Sequence, residues 1–322
     1  MEYRTLGSSN LKVSRLWIGG MSFGDPGMRA WVQDAATSRR ILERALDHGI
    51  NTIDTCNAYC KGVSEEIIGD FVKEIGIRDR LVIATKLGLP SGPDAGPNGS
   101  GYSRKHIISA CEASLKRLKT DHIDLYQTHI WQPTTEIGEM VEAFDHLVKT
   151  GKVLYVGATD MPAWQLAKSV YTAQHAGRAR FVSFQHHYNA IWREDERETI
   201  PFCRAEGLGL VPYSPLGRGF LCGGATTRRR EKDEMIPRWY SHPEDAAVAA
   251  AIAAHAAKLG CPQAAVALSW VLTTPGVTAT VVGASSVEQL DQIVAYAERP
   301  FDRAEMGAVD AAYAYRPSKG HG

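Results

Sequence analysis

The sequence has no surplus of charge of either sign: 36 Lys+Arg stand against 36 Asp+Glu in 322 residues, for a formal net charge of zero. A chain so balanced carries no electrostatic footprint for nucleic acid or an anionic membrane surface, and neither is expected as a partner. No run approaches ~18 consecutive apolar residues, so no membrane-spanning helix is expected. The six cysteines, Cys56, Cys60, Cys111, Cys203, Cys222 and Cys261, form no C-x-x-C unit, which removes the usual zinc-site pattern. Met1-Glu2-Tyr3-Arg4-Thr5 lacks the apolar character of a secretory leader, so reduced thiols in a cytoplasmic protein are the expectation. Two phosphate-binding signatures are missing as well. Gly19-Gly20-Met21-Ser22-Phe23-Gly24 and Gly217-Arg218-Gly219 match neither G-x-G-x-x-G nor G-x-x-x-x-G-K-[ST].

What remains is an ordinary globular composition, 44% hydrophobic and 22% charged. Short apolar runs alternate with amphipathic stretches along the whole chain. The runs 16–20, 51–55, 81–86, 123–129, 153–159, 181–185, 208–212 and 278–282 read as strands. Helical spacing falls between them, over 38–48, 64–74, 103–118, 136–149, 162–176, 194–205, 244–259, 262–272 and 287–297, with Ser38 as the cap of the first. Nearly continuous apolar strands separated by helices imply a parallel sheet covered on both faces. Eight such units, without the dinucleotide fingerprint of an open doubly wound sheet, fit an α/β fold of the (β/α)8 TIM-barrel type. One domain over 1–322 is expected, with a β-hairpin over 3–15 ahead of the barrel and a long loop, Gly217–Pro243, after the seventh strand. A loop of that length is usually functional, and this one is expected to be mobile and to close over a ligand.

In such a barrel the chemistry sits where strands end. The second strand ends at Asp54 with Tyr59 five residues on, the third at Lys86, and the fourth at His129, followed by Trp131. These side chains make a coherent acid–base set. A phenol is a poor acid near neutrality, a nearby ammonium favours its ionised form, an aspartate holds that ammonium, and a neutral imidazole can donate to a substrate oxygen. Each residue alone has a structural reading: an exposed lysine, a satisfied histidine, a capping aspartate, a space-filling tyrosine. Their joint occurrence at three successive strand ends favours function. His186-His187 suggests a metal, but neighbours on a strand point to opposite faces and the first strand carries no H-x-H, so no metal site is assigned. Arg228-Arg229-Arg230 reads as part of a solvated mixed-charge loop, with a grip on a cofactor phosphate as the alternative.

These motifs resemble those of the aldo-keto reductase superfamily. Asp54-Thr55-Cys56-Asn57-Ala58-Tyr59 with Ser64-Glu65-Glu66-Ile67-Ile68-Gly69 is similar to the family's D-T-A-x-x-Y-G…S-E-E-x-x-G signature. Ala84-Thr85-Lys86, the stretch from Ser114-Leu115-Lys116-Arg117-Leu118 to His129, Tyr213-Ser214-Pro215-Leu216 and Gly283-Ala284-Ser285-Ser286 continue the likeness through nearly the whole chain. Met21-Ser22-Phe23-Gly24 and the Pro215–Gly219 segment resemble the branch that holds aryl-alcohol-type reductases and potassium-channel β subunits. The resemblance implies reduction of an aldehyde or ketone with NADP(H). Tyr59 would be the general acid, Lys86 its pKa modulator, Asp54 the partner of Lys86, and His129 the donor that positions the carbonyl. Tyr59, His129 and Trp131 would meet the substrate. Cofactor contacts would come from Gly20, Met21, Asp54, Thr159, Asp160, Gln185, Tyr213, Ser214, Pro215, Leu216, Gly217, Gly219, Gly283, Ser285, Gln289 and Gln292.

The sequence departs from the family at several of these positions. Thr159-Asp160 stands where Ser-Asn is usual, and an ionised carboxylate accepts but cannot donate. Ile293 replaces an amide, Gly224 a lysine and Ser285 an arginine found in many relatives. Arg218 or the Arg228–Arg230 run could take over the 2′-phosphate. Cys60 follows the tyrosine where glycine is usual. Two other readings stay open: an NADP(H)-sensing regulatory subunit with slow turnover, and a Schiff-base aldolase using Lys86.

Overall fold

Two short antiparallel strands open the chain, β1 (Tyr3–Thr5) and β2 (Lys12–Ser14), as the alternation around Gly7 predicts. Eight parallel strands follow: β3 (Leu16–Gly19), β4 (Thr52–Asp54), β5 (Val82–Leu87), β6 (Ile123–Thr128), β7 (Val153–Thr159), β8 (Phe181–His187), β9 (Gly209–Tyr213) and β10 (Thr280–Val282). They close into a barrel in the order β10-β3-β4-β5-β6-β7-β8-β9. The computed structural model describes residues 1–90, 92, 96–223 and 233–315. Gly224 and Arg228-Arg229-Arg230, singled out above, lie outside the described residues, as does the middle of the loop 217–243.

The hairpin plugs the barrel floor. Leu6 and Val13 pack with Trp17, Val82, Ala84, Leu125, Val211, Ala279 and Val281 in a cluster inside the ring of strands. Gly7 makes this approach possible: a Cβ there would stand 2.2 Å from the Val182 carbonyl oxygen and 2.6 Å from the Gly209 nitrogen. A second, larger cluster lies between strands and helices. The helices α1 (Ala35–Asp47), α2 (Val63–Ile75), α3 (Arg104–Leu118), α4 (Ile137–Lys149) and α5 (Ala163–His175) contribute to it one after another.

Two helices differ from the sequence reading, each for a local reason. α1 starts earlier than Ser38, because the Asp34 carboxylate accepts from the Thr37 N–H and caps it; Ser38 is buried inside the first turns. The helix read over 194–205 is two pieces, a 3-10 turn at Glu194–Glu196 and α6 at Thr199–Glu206. Pro201 dictates the break. It has no N–H and clashes with the carbonyl four residues back, so it is tolerated only in a first turn. Among the described residues no helix is long and apolar enough to cross a membrane.

Candidate active site

Strand alternation decides what faces the barrel mouth. On β5, Val82, Ala84 and Lys86 share the inward face, and on β6 Leu125 and Gln127 do, with His129 next in the series. The lower members join the apolar interior cluster; the upper ones are polar and sit at the C-terminal end. Register sets Lys86 level with Gln127 and Thr159 level with Gln185.

Asp54 and Lys86 form a buried ion pair. Lys86 Nζ donates to Asp54 Oδ2 at 2.6 Å and to the Thr55 carbonyl at 2.9 Å, and lies 3.5 Å from Tyr59 Oη. Lys86 is 0% exposed and Asp54 2%. The other carboxylate oxygen, Asp54 Oδ1, accepts from Gln127 Nε2 at 3.1 Å and Gln185 Nε2 at 2.9 Å. Such saturation makes a buried charge pair tolerable. Burial alone would lower the Lys86 pKa, but Asp54, followed by Tyr59 and Cys56, carries it above the ordinary lysine value. A lysine held charged, with an acceptor for each N–H, is the opposite of the neutral amine a Schiff base requires.

Tyr59 and His129 sit at the rim of this pair. Their rings meet edge to face, 5.8 Å between centroids, and Lys86 Nζ lies 5.2 Å from the Tyr59 ring centre. Burial raises the Tyr59 pKa and Lys86 opposes it; the net direction is upward. The ammonium therefore tempers the phenol rather than ionising it, which refines the expectation of a lowered pKa. Tyr59 holds its proton at neutral pH and has it to give. His129 is driven down to about 3, by burial first and Lys86 second, so its imidazole is neutral. Behind it, Tyr102 anchors the loop: its hydroxyl accepts from the His129 N–H at 2.9 Å, donates to the Ile130 carbonyl at 2.9 Å, and its ring stacks on Trp131 at 6.3 Å.

The opposite side of the mouth carries the residues expected to hold a cofactor. Thr159 ends β7 with its buried hydroxyl unpartnered. Asp160 follows with φ +44° and accepts from the Tyr213 hydroxyl at 2.9 Å. Burial, only partly offset by Tyr213, pushes the Asp160 pKa up to about 7. A neutral carboxyl can donate, so the departure from asparagine costs less than an ionised aspartate would. Gln185 is turned inward to Asp54. Tyr213 presents one face to His187, stacked at 5.4 Å and 12°.

Beyond Tyr213 the chain turns tightly. Ser214 adopts φ +54° and its carbonyl accepts from Asn189 Nδ2 at 3.0 Å; Pro215 is buried and Leu216 partly so. Gly217 and Gly219 sit at φ +56° and +96°. Gly20 is buried against Ser64 and Asp54, and Met21 is partly exposed beside it. At the far end Gly283, Ser285 and Gln292 are exposed, and the Ser285 hydroxyl and backbone N–H both reach Gln289 Oε1, at 2.9 and 2.7 Å. Ile293 is in the core, so Gln292 is the side chain of that pair that faces outward. An orphaned hydroxyl, a donor-capable carboxyl and an aromatic face beside a glycine turn suit a nicotinamide and its phosphates.

Two candidates are committed elsewhere. Arg218 forms a buried pair with Asp233 at 2.5 Å and lies 4.4 Å over the Trp239 ring. His186 pairs with Asp195 at 2.7 Å, while His187 meets the Tyr240 hydroxyl at 2.6 Å. Three residues were missed by the site prediction. Gln127 braces Asp54, and its place two residues before His129 on one strand face was the available signal. Cys56 lies 3.1 Å from His129 Nδ1, signalled only by its departure from the D-T-A of the signature it resembles. Nothing in the spacing marked Tyr102.

The aldo/keto reductase family model matches residues 15–314. The chain is 38% identical to an uncharacterized oxidoreductase of Bacillus subtilis, covering 94% of this chain and 93% of that protein. It is 36% identical to versiconal hemiacetal acetate reductase of Aspergillus parasiticus, covering 92% of each. Norsolorinic acid reductase B of Dothistroma septosporum is 33% identical, over 98% of this chain and 82% of that protein. The chain belongs to the aldo/keto reductase family, whose members are oxidoreductases acting on small carbonyl compounds.

Proposed function

We propose that this member of the family is an NADP(H)-dependent carbonyl reductase in which Tyr59 protonates the oxygen of an aldehyde or ketone. The observation that carries the reading is the buried Asp54–Lys86 pair delivering one N–H toward Tyr59 Oη. When bound, the nicotinamide supplies a hydride to the carbonyl carbon. Thr159, Asp160 and Tyr213 would hold its ring end, Ser214 to Gly219 its pyrophosphate, and Ser285, Gln289 and Gln292 its adenosine end.

The protein's own part is a proton and a place for the oxygen. As charge develops on the oxygen, His129 and Tyr59 face it from two sides. Tyr59 gives up its proton, and the phenolate left behind is stabilised by Lys86, whose charge Asp54 fixes in position. Because His129 is neutral down to about pH 3, no loss of rate from its protonation is expected between about pH 5 and 8.

Substrate class is read from the rim. Trp131 and Trp192 are partly buried there, and Ile130 is 47% exposed. This favours an apolar or aromatic carbonyl, and the compounds named for the two fungal relatives are candidates. The test is NADPH oxidation with benzaldehyde beside NADPH and NADH titrations by fluorescence. Turnover with tighter NADPH binding supports the reading. Tight binding without turnover on any aldehyde or ketone offered replaces it with a nucleotide-sensing role.

A further inference from the structure

Cys56 stands directly after Asp54-Thr55 and is fully buried. Its sulfur lies 3.1 Å from His129 Nδ1 and accepts from the Ala58 N–H at 3.3 Å. The next acceptor in reach, Asn57 Oδ1, is farther away at 3.5 Å. Only two protons are available to this pair, one on the thiol and one on the ring. Burial, partly offset by Lys86, pushes the Cys56 thiol up to about 12, so it keeps its hydrogen, and the imidazole is neutral. Of the two acceptors within reach of the S–H, His129 Nδ1 is the nearer. Nε2 of His129 has no hydrogen-bond partner among the described residues, and the residue is partly exposed at the mouth.

We propose that Cys56 is a positioning residue: its thiol donates to His129 Nδ1 and fixes the neutral imidazole as the Nε2–H tautomer. In that form His129 meets an incoming carbonyl oxygen as a donor; in the other it would present a lone pair and repel it. The identity of that acceptor rests on the carbonyl-reductase reading. The tautomer is a property of the free protein.

The experiment is ring-nitrogen NMR on protein carrying isotope-labelled histidine, with the His129 signal identified by its loss in His129→Gln. The wild type is expected to show the Nε2–H pattern, unchanged between about pH 5.5 and 8. Cys56→Ala, which removes the thiol and little else, should shift His129 to a tautomer mixture and lower kcat/KM for benzaldehyde about fivefold, the scale of one neutral hydrogen bond. Cys56→Ser, with a hydroxyl donor, should restore both. An Nδ1–H pattern in the wild type, or a pure Nε2–H pattern in Cys56→Ala, overturns the proposal. Failure of the reductase reading would look different: no aldehyde reduced, with the tautomer result standing.

Discussion

The two sides of the barrel mouth differ in how far their polar groups are already engaged. On the β4–β6 side the buried charges are matched within the protein, although the neutral Gln127 Oε1 has no partner: Lys86 has three acceptors, and Asp54 receives Lys86, Gln127 and Gln185. On the β7–β10 side Thr159 keeps a buried hydroxyl unpartnered, and Gly283, Ser285 and Gln292 face outward. The first side is preorganised, with electrostatics that do not wait for a ligand. The second is a cradle, with hydrogen-bonding capacity left for something to fill. The contrast teaches that substitutions on the first side should damage folding and chemistry together. On the second they should change binding and pH behaviour while sparing the fold.

The largest effect is expected from Lys86→Met. It strands the buried Asp54 carboxylate and should cost about 3–5 kcal/mol of stability in urea denaturation, along with activity. The double variant Lys86→Met/Asp54→Leu should recover most of the stability and none of the activity. Recovery of both would break the distinction between the two sides.

Asp160→Asn comes next. In the folded protein Asp160 holds its proton up to about pH 7, whereas an unfolded aspartate releases it near the ordinary 3.8. The native state thus binds more protons across that interval, so stability should fall as pH rises from about 4 to about 7 and level off above. Asp160→Asn should lose that fall, and nicotinamide cofactor affinity, stronger below pH 7 in the wild type, should become flat with pH. Denaturation at pH 5 and 8, with cofactor titrations in the same buffers, checks both. The smallest effect is expected from Ser285→Ala, an exposed change that should stay within about 0.5 kcal/mol in stability.

The fold was legible because each strand announces itself as an apolar run and each helix by its spacing. It was less so where a single residue decided a boundary, as Asp34 does for α1 and Pro201 for α6. At the site, Asp54, Lys86 and His129 were readable from their places at strand ends, and Tyr59 from its distance to Asp54. Gln127 was overlooked because a lone amide inside an apolar strand looks like any polar interruption until the barrel closes and turns it toward Asp54. The net direction of the Tyr59 pKa was also out of reach, since it depends on how much burial opposes Lys86. Arg218 looked available for a phosphate; its capture by Asp233 and Trp239 is a contact that only the folded loop creates.

On the reading proposed above, the engaged side of the mouth supplies the proton through Tyr59. The most direct test of that role compares wild type and Tyr59→Phe for NADPH-dependent reduction of benzaldehyde and for NADPH binding in the same samples. Tyr59→Phe should lose kcat by about 10²–10⁴-fold with cofactor affinity unchanged; undiminished turnover in that variant would rule out Tyr59 as the proton donor.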